Sequence, residues 1–288
     1  MRIAACGVSD PGLVRSNNED AYAFVDLTTG AIIDIDAAEK VIELGPRGGL
    51  LIVSDGMGGE KAGEVASAIV IEAMREHMTR PSSDQDVAAA LCEAVTHANT
   101  RVIAAATEHG REGMGATVTA VLIHGGMAFT AEVGDSRAYL VRHGQLTPIT
   151  KDQTYIQVLI DRGAVPIESL KKSSAKNVIL QAIGKAPELI VAQRRIPLRR
   201  GDGILVCSDG LHGQVEDGEI RDVLLLTESF EEATSRLAVA ANQRGGKDNV
   251  TVVLVAIDDE TLPPVLPGED AAASVEVIRQ FTVGGPTG

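Results

Sequence analysis

The sequence predicts an α+β fold on two observations. Between residues 114 and 148, short runs of β-branched and apolar residues are separated by glycine-containing turns, which is typical of an antiparallel meander. Before this block, apolar residues recur at helical spacing over 60–79 and again over 84–108, with Asp84 as the expected capping residue. Two consecutive amphipathic helices are expected to pack as an antiparallel pair over one sheet.

The N-terminal part of the chain predicts strands separated by a polar loop. Residues 2–8 and 21–25 have the pattern of strands, and paired acidic and amide residues lie just before the second of them. Residues 28–49 contain glycines, acids and only weak apolar alternation. We interpret this segment as a hairpin-like excursion.

The last third of the chain repeats the alternation of strands and helices. Strands are predicted at 189–196, 204–207 and 250–255, and helices near 219–225 and 229–243. The composition then shifts to Asp, Pro and Gly, so residues 259–288 are expected to form a tail with little core of its own. The short apolar run 275–281 has the composition to dock on the rest of the protein.

Length and charge limit the functions to consider. A chain of 288 residues can form one large domain or two small ones, and its aromatic content of 2% implies a core of aliphatic side chains. The formal charge of −14 argues against nucleic acid or an anionic membrane as a partner. Solubility is the simplest reason for the charge, although a carboxylate cluster that binds divalent cations would account for part of it.

The compartment is predicted from three absences in the sequence. The three cysteines show no paired spacing, as expected in a reducing compartment. The N-terminal apolar run is too short for a signal peptide, and no apolar run is long enough to span a bilayer. We therefore expect a cytoplasmic protein.

An apolar run that ends in Ser-Asp-Gly occurs twice. Residues 50–53 lead into Ser54 and Asp55, and three glycines follow within four positions. Residues 204–207 lead in the same way into Ser208 and Asp209. A strand that ends in Asp-Gly is usually only a turn. The repetition favours a metal site, because each turn leaves a carboxylate and backbone carbonyls at the edge of a sheet.

Further acids also lie where predicted strands meet loops. Asp20 precedes the strand 21–25, Asp135 lies in a turn of the meander, and Asp248 precedes the strand 250–255. A site built from all these acids would be costly unless cations neutralised it. No Cys/His ligand pattern accompanies them, so oxygen ligation of Mg²⁺ or Mn²⁺ is favoured over zinc. Two such ions can activate a bridging water and hold a phosphoryl group.

Six short motifs occur in the order found in the metal-dependent type-2C protein phosphatases, and the chain resembles a bacterial member of that family. The motifs begin at Arg15, Asp55, Gly115, Gly134, Ser208 and Gly246, and the resemblance runs from about residue 6 to 257. It implies a four-layer α-β-β-α sandwich, with two central antiparallel sheets flanked by antiparallel helix pairs. Residues 1–258 would form the phosphatase domain, 152–184 its flap, and 259–288 the tail.

The resemblance also implies roles for the acids. Asp55 would bridge two metal ions, the Gly56 carbonyl would bind one of them, and Asp209 and Asp248 would bind the other. Asp135, with Asp209, would hold a third and weaker ion.

Three further residues acquire roles in the same way. Glu19 and Asp20 would orient metal-bound waters, and Arg15 would hold the phosphate oxygens. Read from the residues alone, Arg15 is equally well a surface arginine. For Asp135 the alternative to the ion is a turn residue bonded to backbone amides.

Two departures from the family pattern affect the chemistry. Met57 follows the first Asp-Gly where eukaryotic relatives usually have a histidine general acid, so the leaving-group proton must come from water or another group. The later half of the flap, 171–178, lacks a His-Pro pattern, which leaves substrate choice open. The basic stretch 169–176 is either a solvated loop or the rim of a site for an anionic substrate.

The resemblance implies a protein serine/threonine phosphatase that hydrolyses phosphoserine or phosphothreonine by direct attack of water bound at a binuclear Mn²⁺ or Mg²⁺ centre. The alternatives are a catalytically silent module that binds phosphoproteins on the same fold and a phosphatase of small phosphomonoesters. The expected partners are phosphorylated proteins and, by family analogy, a serine/threonine kinase. A monomer is expected.

Overall fold

Two antiparallel sheets lie at the centre of the structure. The structure is a computed structural model that describes residues 1–58, 62–80, 86–108, 113–163 and 178–283. Within these residues the strands are β1 Arg2–Asp10, β2 Asp20–Asp26, β3 Ala31–Ile33, β4 Lys40–Glu43, β5 Gly49–Met57, β6 Gly115–Ala116, β7 Val118–His124, β8 Met127–Val133, β9 Arg137–Arg142, β10 Gln145–Pro148, β11 Ala192–Pro197, β12 Gly203–Cys207, β13 Val250–Ile257 and β14 Glu276–Arg279. The first sheet has the order β10-β9-β12-β13-β1-β4. The second has the order β14-β11-β8-β7-β5-β2-β3, and β6 pairs with the end of β5.

Helices cover the outer face of each sheet. The helices of the described residues are α1 Ala62–Thr79, α2 Val87–Glu108, α3 Tyr155–Asp161, α4 Asp209–His212, α5 Asp217–Leu226 and α6 Phe230–Gln243, with a short 3₁₀ helix at Ala272–Ser274. The pair α1 and α2 packs on the second sheet, and α4, α5 and α6 pack on the first. A third apolar layer lies between the two sheets.

Alternation along the central strands explains the three layers. In β5, Leu50 and Ile52 pack under α1 and α2, whereas Leu51 and Val53 face the other sheet. Successive side chains of a strand point to opposite faces, so a strand buried on both sides needs a continuous apolar run. The predicted four-layer sandwich with two antiparallel sheets is confirmed.

The prediction of a hairpin over residues 28–49 is wrong. β3 pairs with β2 in the second sheet, whereas β4 pairs with β1 in the first. The chain therefore crosses from one sheet to the other, and Ile35, Ile42 and Leu44 lie in the core between the sheets. The crossing is favourable because these apolar side chains are buried in a shared core, which a surface hairpin would not provide.

The capping residue of the second long helix lies two positions after the predicted one, and the helix begins at Val87. Asp86 accepts a hydrogen bond from the Ala88 N–H at 3.0 Å, so Asp86 caps α2. Several predictions fall outside the described residues, namely the helix start at 60–61, the Asp84 cap, the flap residues 164–177 with the basic stretch 169–176, and the end of the tail at 284–288.

The C-terminal segment as far as residue 283 is joined to both sheets. β14 pairs with β11 at the edge of the second sheet, and Arg195 makes two hydrogen bonds to Glu276 across this pair. Ala271 is buried in the core between the sheets. Glu269 accepts a hydrogen bond from Arg142 of the first sheet at 3.0 Å. The C-terminal segment, which was expected to have little core of its own, therefore packs on the core of the domain.

None of the helices in the described ranges combines the length and the apolar character that crossing a membrane would require.

The buried side chain of Arg142 generates a prediction about stability. Its guanidinium donates to both carboxylate oxygens of Asp202, at 2.8 and 2.6 Å, and neither side chain is exposed. Asp202→Ala would leave a buried charge without its main partner, so we expect a loss of about 3–5 kcal/mol in the free energy of unfolding, measured with urea. The control is Asp258→Ala, which removes an exposed ion pair with Arg2 and should cost at most about 1 kcal/mol. Equal losses in the two variants would contradict this account of Arg142.

Candidate functional site

Acidic residues from both sheets surround one site. In the second sheet, Asp20 begins β2 directly opposite Asp55 near the end of β5. Asp135 lies in the connection from β8 of the second sheet to β9 of the first. In the first sheet, Asp209 begins α4 immediately after β12, and Asp248 lies just before β13. The charges of the other four acids each raise the pKa of Asp55. The structure therefore brings together the five acids predicted from the sequence.

Burial and mutual repulsion change how these carboxyl groups titrate. Burial, and then the charges of the neighbouring acids, raise the pKa of Asp55 well above its ordinary value. Burial is also the largest cause of the raised pKa values of Asp20, Asp135 and Asp209. It raises the pKa of Asp20 to about 7, that of Asp135 to about 8 and that of Asp209 to about 6. Without a compensating cation, the cluster favours bound protons near neutral pH.

Three of the acids each have one buried carboxylate oxygen without a hydrogen-bond partner. These atoms are Oδ1 of Asp20, Asp135 and Asp209. Buried polar atoms are normally paired, and an unpaired carboxylate oxygen is among the most costly. A divalent cation fits such oxygens, and an all-oxygen set suits Mg²⁺ or Mn²⁺.

Side chains alone do not complete a metal cage. Among the described His, Cys, Asp and Glu residues, no group of three is arranged so that it could hold a metal ion by itself. Ions at this site would therefore need backbone carbonyls or waters as further ligands, which is usual for Mg²⁺. The Gly56 carbonyl, adjacent to Asp55, was predicted to be such a ligand.

Hydroxyl groups hold Asp55 and Asp20 in position. The Asp55 N–H donates to Thr117 Oγ1 at 3.0 Å, and the Thr117 N–H donates back to the Asp55 carbonyl at 2.8 Å. Ser208 and Thr251 each donate to Oδ2 of Asp20, at 2.7 and 2.8 Å. These contacts occupy one oxygen of Asp20 and leave its Oδ1 free. Sequence reasoning did not assign roles to these hydroxyl groups, although Thr117 and Ser208 lie in the family motifs that begin at Gly115 and Ser208.

Asn249 fixes the loop that carries Arg15 and Glu19. Its Oδ1 accepts the Glu19 N–H at 2.8 Å, and its Nδ2 donates to the carbonyls of Pro11 and Asn17 at 3.0 and 2.8 Å. The N-terminal loop is therefore held against the start of β13. The only signal in the sequence was that Asn249 follows Asp248 in the last motif.

Two glycines allow Glu19 to approach the start of α1. A Cβ atom at Gly63 would lie 2.7 Å from both Cδ and Oε1 of Glu19, and one at Gly56 would overlap the Gly63 carbonyl. The Gly56 N–H also donates to the Glu19 carbonyl at 3.1 Å. The contact of Gly63 with Glu19 could not be found from the sequence, because it joins residues that are distant along the chain.

Arg15 lies at the edge of the acidic site. Its Nη2 donates to Oδ2 of Asp248 at 2.7 Å, and about half of its side chain is exposed. The hydrogen bond to Asp248 raises the pKa of Arg15. The charge of Arg15 partly offsets the rise in the pKa of Asp209 that burial and the charge of Asp248 cause. The residue predicted to hold phosphate is thus paired with a predicted metal ligand and remains accessible to solvent.

A second set of contacts borders Asp135. Arg137 makes two hydrogen bonds of 2.7 Å to Asp152, and His212 Nε2 donates to the Asp135 carbonyl at 3.0 Å. Burial lowers the pKa of His212 to about 4, so its ring is neutral at neutral pH. His212 was not predicted to belong to the site. Its place three residues after Asp209, on the same short helix, was the available signal.

Comparison with known proteins identifies the family. The model of the protein phosphatase 2C family matches residues 16–254. The chain belongs to the protein phosphatase 2C family. The predicted resemblance is therefore confirmed over most of the chain.

Individual relatives agree with this family assignment. The serine/threonine protein phosphatase PstP of Mycobacterium tuberculosis is 39% identical over 253 residues, which are 87% of this chain and 44% of that protein. The chain therefore spans under half the length of PstP. The crystal structure of M. tuberculosis PstP/Ppp superposes with a TM-score of 0.76 at 35% identity, covering 90% of this chain and all of the other. A structure of the PstP catalytic domain in complex with two manganese ions has a TM-score of 0.74, with the same identity and coverage.

The raised pKa values of this phosphatase 2C-family site predict how the stability of the metal-free protein depends on pH. An acid whose pKa is higher in the folded state contributes stability that is fully present below its unfolded pKa, where the acid is protonated in both states. This contribution is lost as the pH rises through the folded pKa, which is about 7 for Asp20 and about 8 for Asp135. The stability of the metal-free protein should therefore fall between about pH 6.5 and pH 8.5. His212, whose pKa is lowered by burial to about 4 in the folded state, opposes this change only at the lower end of the range, where its ring is still partly charged in the unfolded chain.

Thermal unfolding in a chelator across this pH range measures the effect, and Asp135→Asn is the matched variant. The amide cannot ionise, so the variant should have a smaller slope and a higher melting temperature than the wild type at pH 8. Added Mn²⁺ should stabilise the wild type most at the upper end of the range, because it binds the deprotonated acids. Stability that rises with pH in the chelated wild type would contradict the assignment.

Proposed function

We propose that this chain is a protein serine/threonine phosphatase that depends on Mn²⁺ or Mg²⁺. The observation that carries the proposal is the cluster of Asp20, Asp55, Asp135, Asp209 and Asp248, with three buried carboxylate oxygens that have no partner. Membership of the phosphatase 2C family and the two manganese ions in the structure of the PstP catalytic domain support it. The substrates are then phosphorylated proteins, and a serine/threonine kinase must supply them.

In this proposal some residues of the acidic site hold metal ions and others orient water. Asp55, Asp209 and Asp248, with the Gly56 carbonyl, would hold two ions. When bound, the ions supply Lewis-acid activation of water and neutralise charge on the phosphoryl group. Asp20, whose Oδ1 has no partner in the protein, and the carboxylate of Glu19 would accept hydrogen bonds from waters of the site and orient them.

Arg15 would bind the phosphate oxygens of the substrate. It is charged at all relevant pH values and half exposed, and it lies beside Asp248 and Asp209. Met57 has no proton to donate, and the Nε2 proton of His212 is committed to the Asp135 carbonyl. Neither side chain therefore protonates the leaving oxygen, and the proposal assigns this proton to water.

Asp135 would hold a third, weaker ion together with Asp209. One support is the Oδ1 of Asp135, which has no hydrogen-bond partner. The other is the charge of Asp209, which raises the pKa of Asp135 more than any other cause except burial. A turn-capping role for this carboxylate would not account for the unpartnered Oδ1. Monomeric state and cytoplasmic location also belong to the proposal, as expectations from the sequence.

The proposal predicts loss of activity when a metal ligand is removed. Asp209→Asn should lower the turnover of p-nitrophenyl phosphate and of a phosphothreonine peptide by about a hundredfold or more, because it removes a ligand charge. Chelation of the wild type should have the same effect, and Mn²⁺ should restore activity. The matched control, Asp258→Asn, lies on the surface away from the cluster and should be unchanged. A catalytically silent binding module would bind the phosphopeptide but hydrolyse neither substrate, and a phosphatase of small molecules would hydrolyse only the first.

A separate prediction tests the role of Arg15. Arg15→Ala should weaken inhibition by inorganic phosphate, and raise KM, by about tenfold, since a charge-assisted hydrogen bond contributes about 1.5–3 kcal/mol. Because the change also releases Asp248, the Mn²⁺ concentration for half-maximal activity is measured in parallel. Arg2→Ala, which removes another exposed arginine paired with an aspartate, is the control. Phosphate inhibition unchanged in Arg15→Ala would show that Arg15 serves only to pair with Asp248.

A further inference from the structure

Two large apolar side chains lie in solvent directly before Arg15. Leu13 is 69% exposed and Val14 is 68% exposed. Exposed single apolar residues are common on protein surfaces and need no explanation. This pair differs because the next residue contacts Asp248 of the acidic site.

The loop that carries the pair is held firmly, so the exposure does not result from a loose backbone. The N–H groups of Leu13 and Val14 both donate to the Gly246 carbonyl, at 2.8 and 3.2 Å. Before them, the Gly12 N–H donates to Oδ1 of Asp10 at 2.8 Å. Asn249 holds the carbonyls of Pro11 and Asn17 on either side. The backbone is therefore fixed while both side chains remain available to a partner.

Glycines are required for this arrangement. Gly12 has a φ of +76°, and a Cβ atom there would overlap the Asp248 carbonyl. A Cβ atom at Gly246 would lie 2.8 Å from Cγ of Leu13. The loop thus packs closely on the turn that carries a predicted metal ligand, and it places Leu13 and Val14 beside the site.

We propose that Leu13 and Val14 form the docking surface for an apolar side chain next to the phosphorylated residue of a protein substrate. The proposal rests on the proposed function. Val14 and Leu13 lie one and two positions before Arg15, and neighbouring Cα atoms are about 3.8 Å apart, so the pair lies within reach of residues that flank the phosphorylated one. A substrate whose phosphate contacts Arg15 can therefore place a flanking side chain on this pair.

The charge of the surroundings favours an apolar flanking residue over an acidic one. Asp10, Glu19 and Asp248 lie on the segments that carry or support this loop, and the chain has a formal charge of −14. An acidic side chain beside the phosphate would add repulsion that Arg15 alone has to offset. Burial of an apolar side chain against Leu13 and Val14 adds affinity without that repulsion.

Two phosphothreonine peptides that differ at one position test the proposal. One has leucine next to the phosphothreonine and the other has serine, and p-nitrophenyl phosphate reports the chemistry without any flanking residue. In the double variant L13S/V14S, kcat/KM for the leucine peptide should fall about tenfold relative to kcat/KM for p-nitrophenyl phosphate, mainly through KM. The same ratio for the serine peptide should change less than twofold.

The control is L225S/L226S, because this pair is 53% and 77% exposed but lies at the far end of α5. It should leave both ratios unchanged. A loss in L13S/V14S that is equal for all three substrates would assign the pair to support of the Arg15 loop and overturn the proposal. Unchanged ratios, or a greater loss for the serine peptide, would also overturn it.

Binding in an Asp209→Asn background separates this proposal from the proposed function. Fluorescence anisotropy of the labelled peptides should show tighter binding of the leucine peptide, and L13S/V14S should remove the difference. If the wild type hydrolyses nothing but this difference is present, the catalytic proposal fails and the docking surface stands. If the wild type is active but neither peptide is preferred, the docking proposal fails alone.

Discussion

Repulsion among carboxylates at one end of the two sheets is the constraint on which the site depends. Five acids lie close enough that the others raise the pKa of Asp55, and three of them have a buried oxygen with no partner. Such a cluster opposes folding unless protons or cations neutralise it. The surrounding contacts position these carboxylates without satisfying them, which is the arrangement a cation site requires.

The core between the sheets determines where the acids meet. Asp20 and Asp55 belong to paired strands of the second sheet, whereas Asp209 and Asp248 flank paired strands of the first. Their relative position depends on the packing of aliphatic side chains between the sheets, including Val53 and Val253. Contacts that cross from one sheet to the other, such as Ser208 and Thr251 with Asp20, then fix the details. Stability and site geometry therefore share one core.

The sequence predicted the strands, the helices and the positions of the acids well because these follow local rules, whereas the four-layer arrangement was implied by the family resemblance. Alternation in β5, helical periodicity in α1 and α2, and glycine turns between β7, β8 and β9 are all local patterns. The repeated Ser-Asp-Gly after an apolar run located Asp55 and Asp209, and the motif order identified the family. The ligand roles of Asp55, Asp135, Asp209 and Asp248 remain predictions, which the cluster makes physically reasonable.

What the sequence could not provide depends on partners far apart along the chain. Asn249 bonds to Glu19 across 230 positions, and Thr251 bonds to Asp20 across 231. The passage of residues 28–49 from one sheet to the other also depended on a core that exists only after folding. The same holds for Arg142, whose acidic partners Asp202 and Glu269 come from two separate later segments.

Anomalous diffraction from crystals grown with Mn²⁺ and measured at the manganese edge tests the central claim most directly. The account predicts two strong peaks among Asp55, Asp209 and Asp248, and a weaker third peak between Asp135 and Asp209 that is lost in Asp135→Asn. The unpartnered Oδ1 of Asp20 should face water of this centre. Manganese bound elsewhere, with these carboxylates protonated and bonded to one another, would contradict the account.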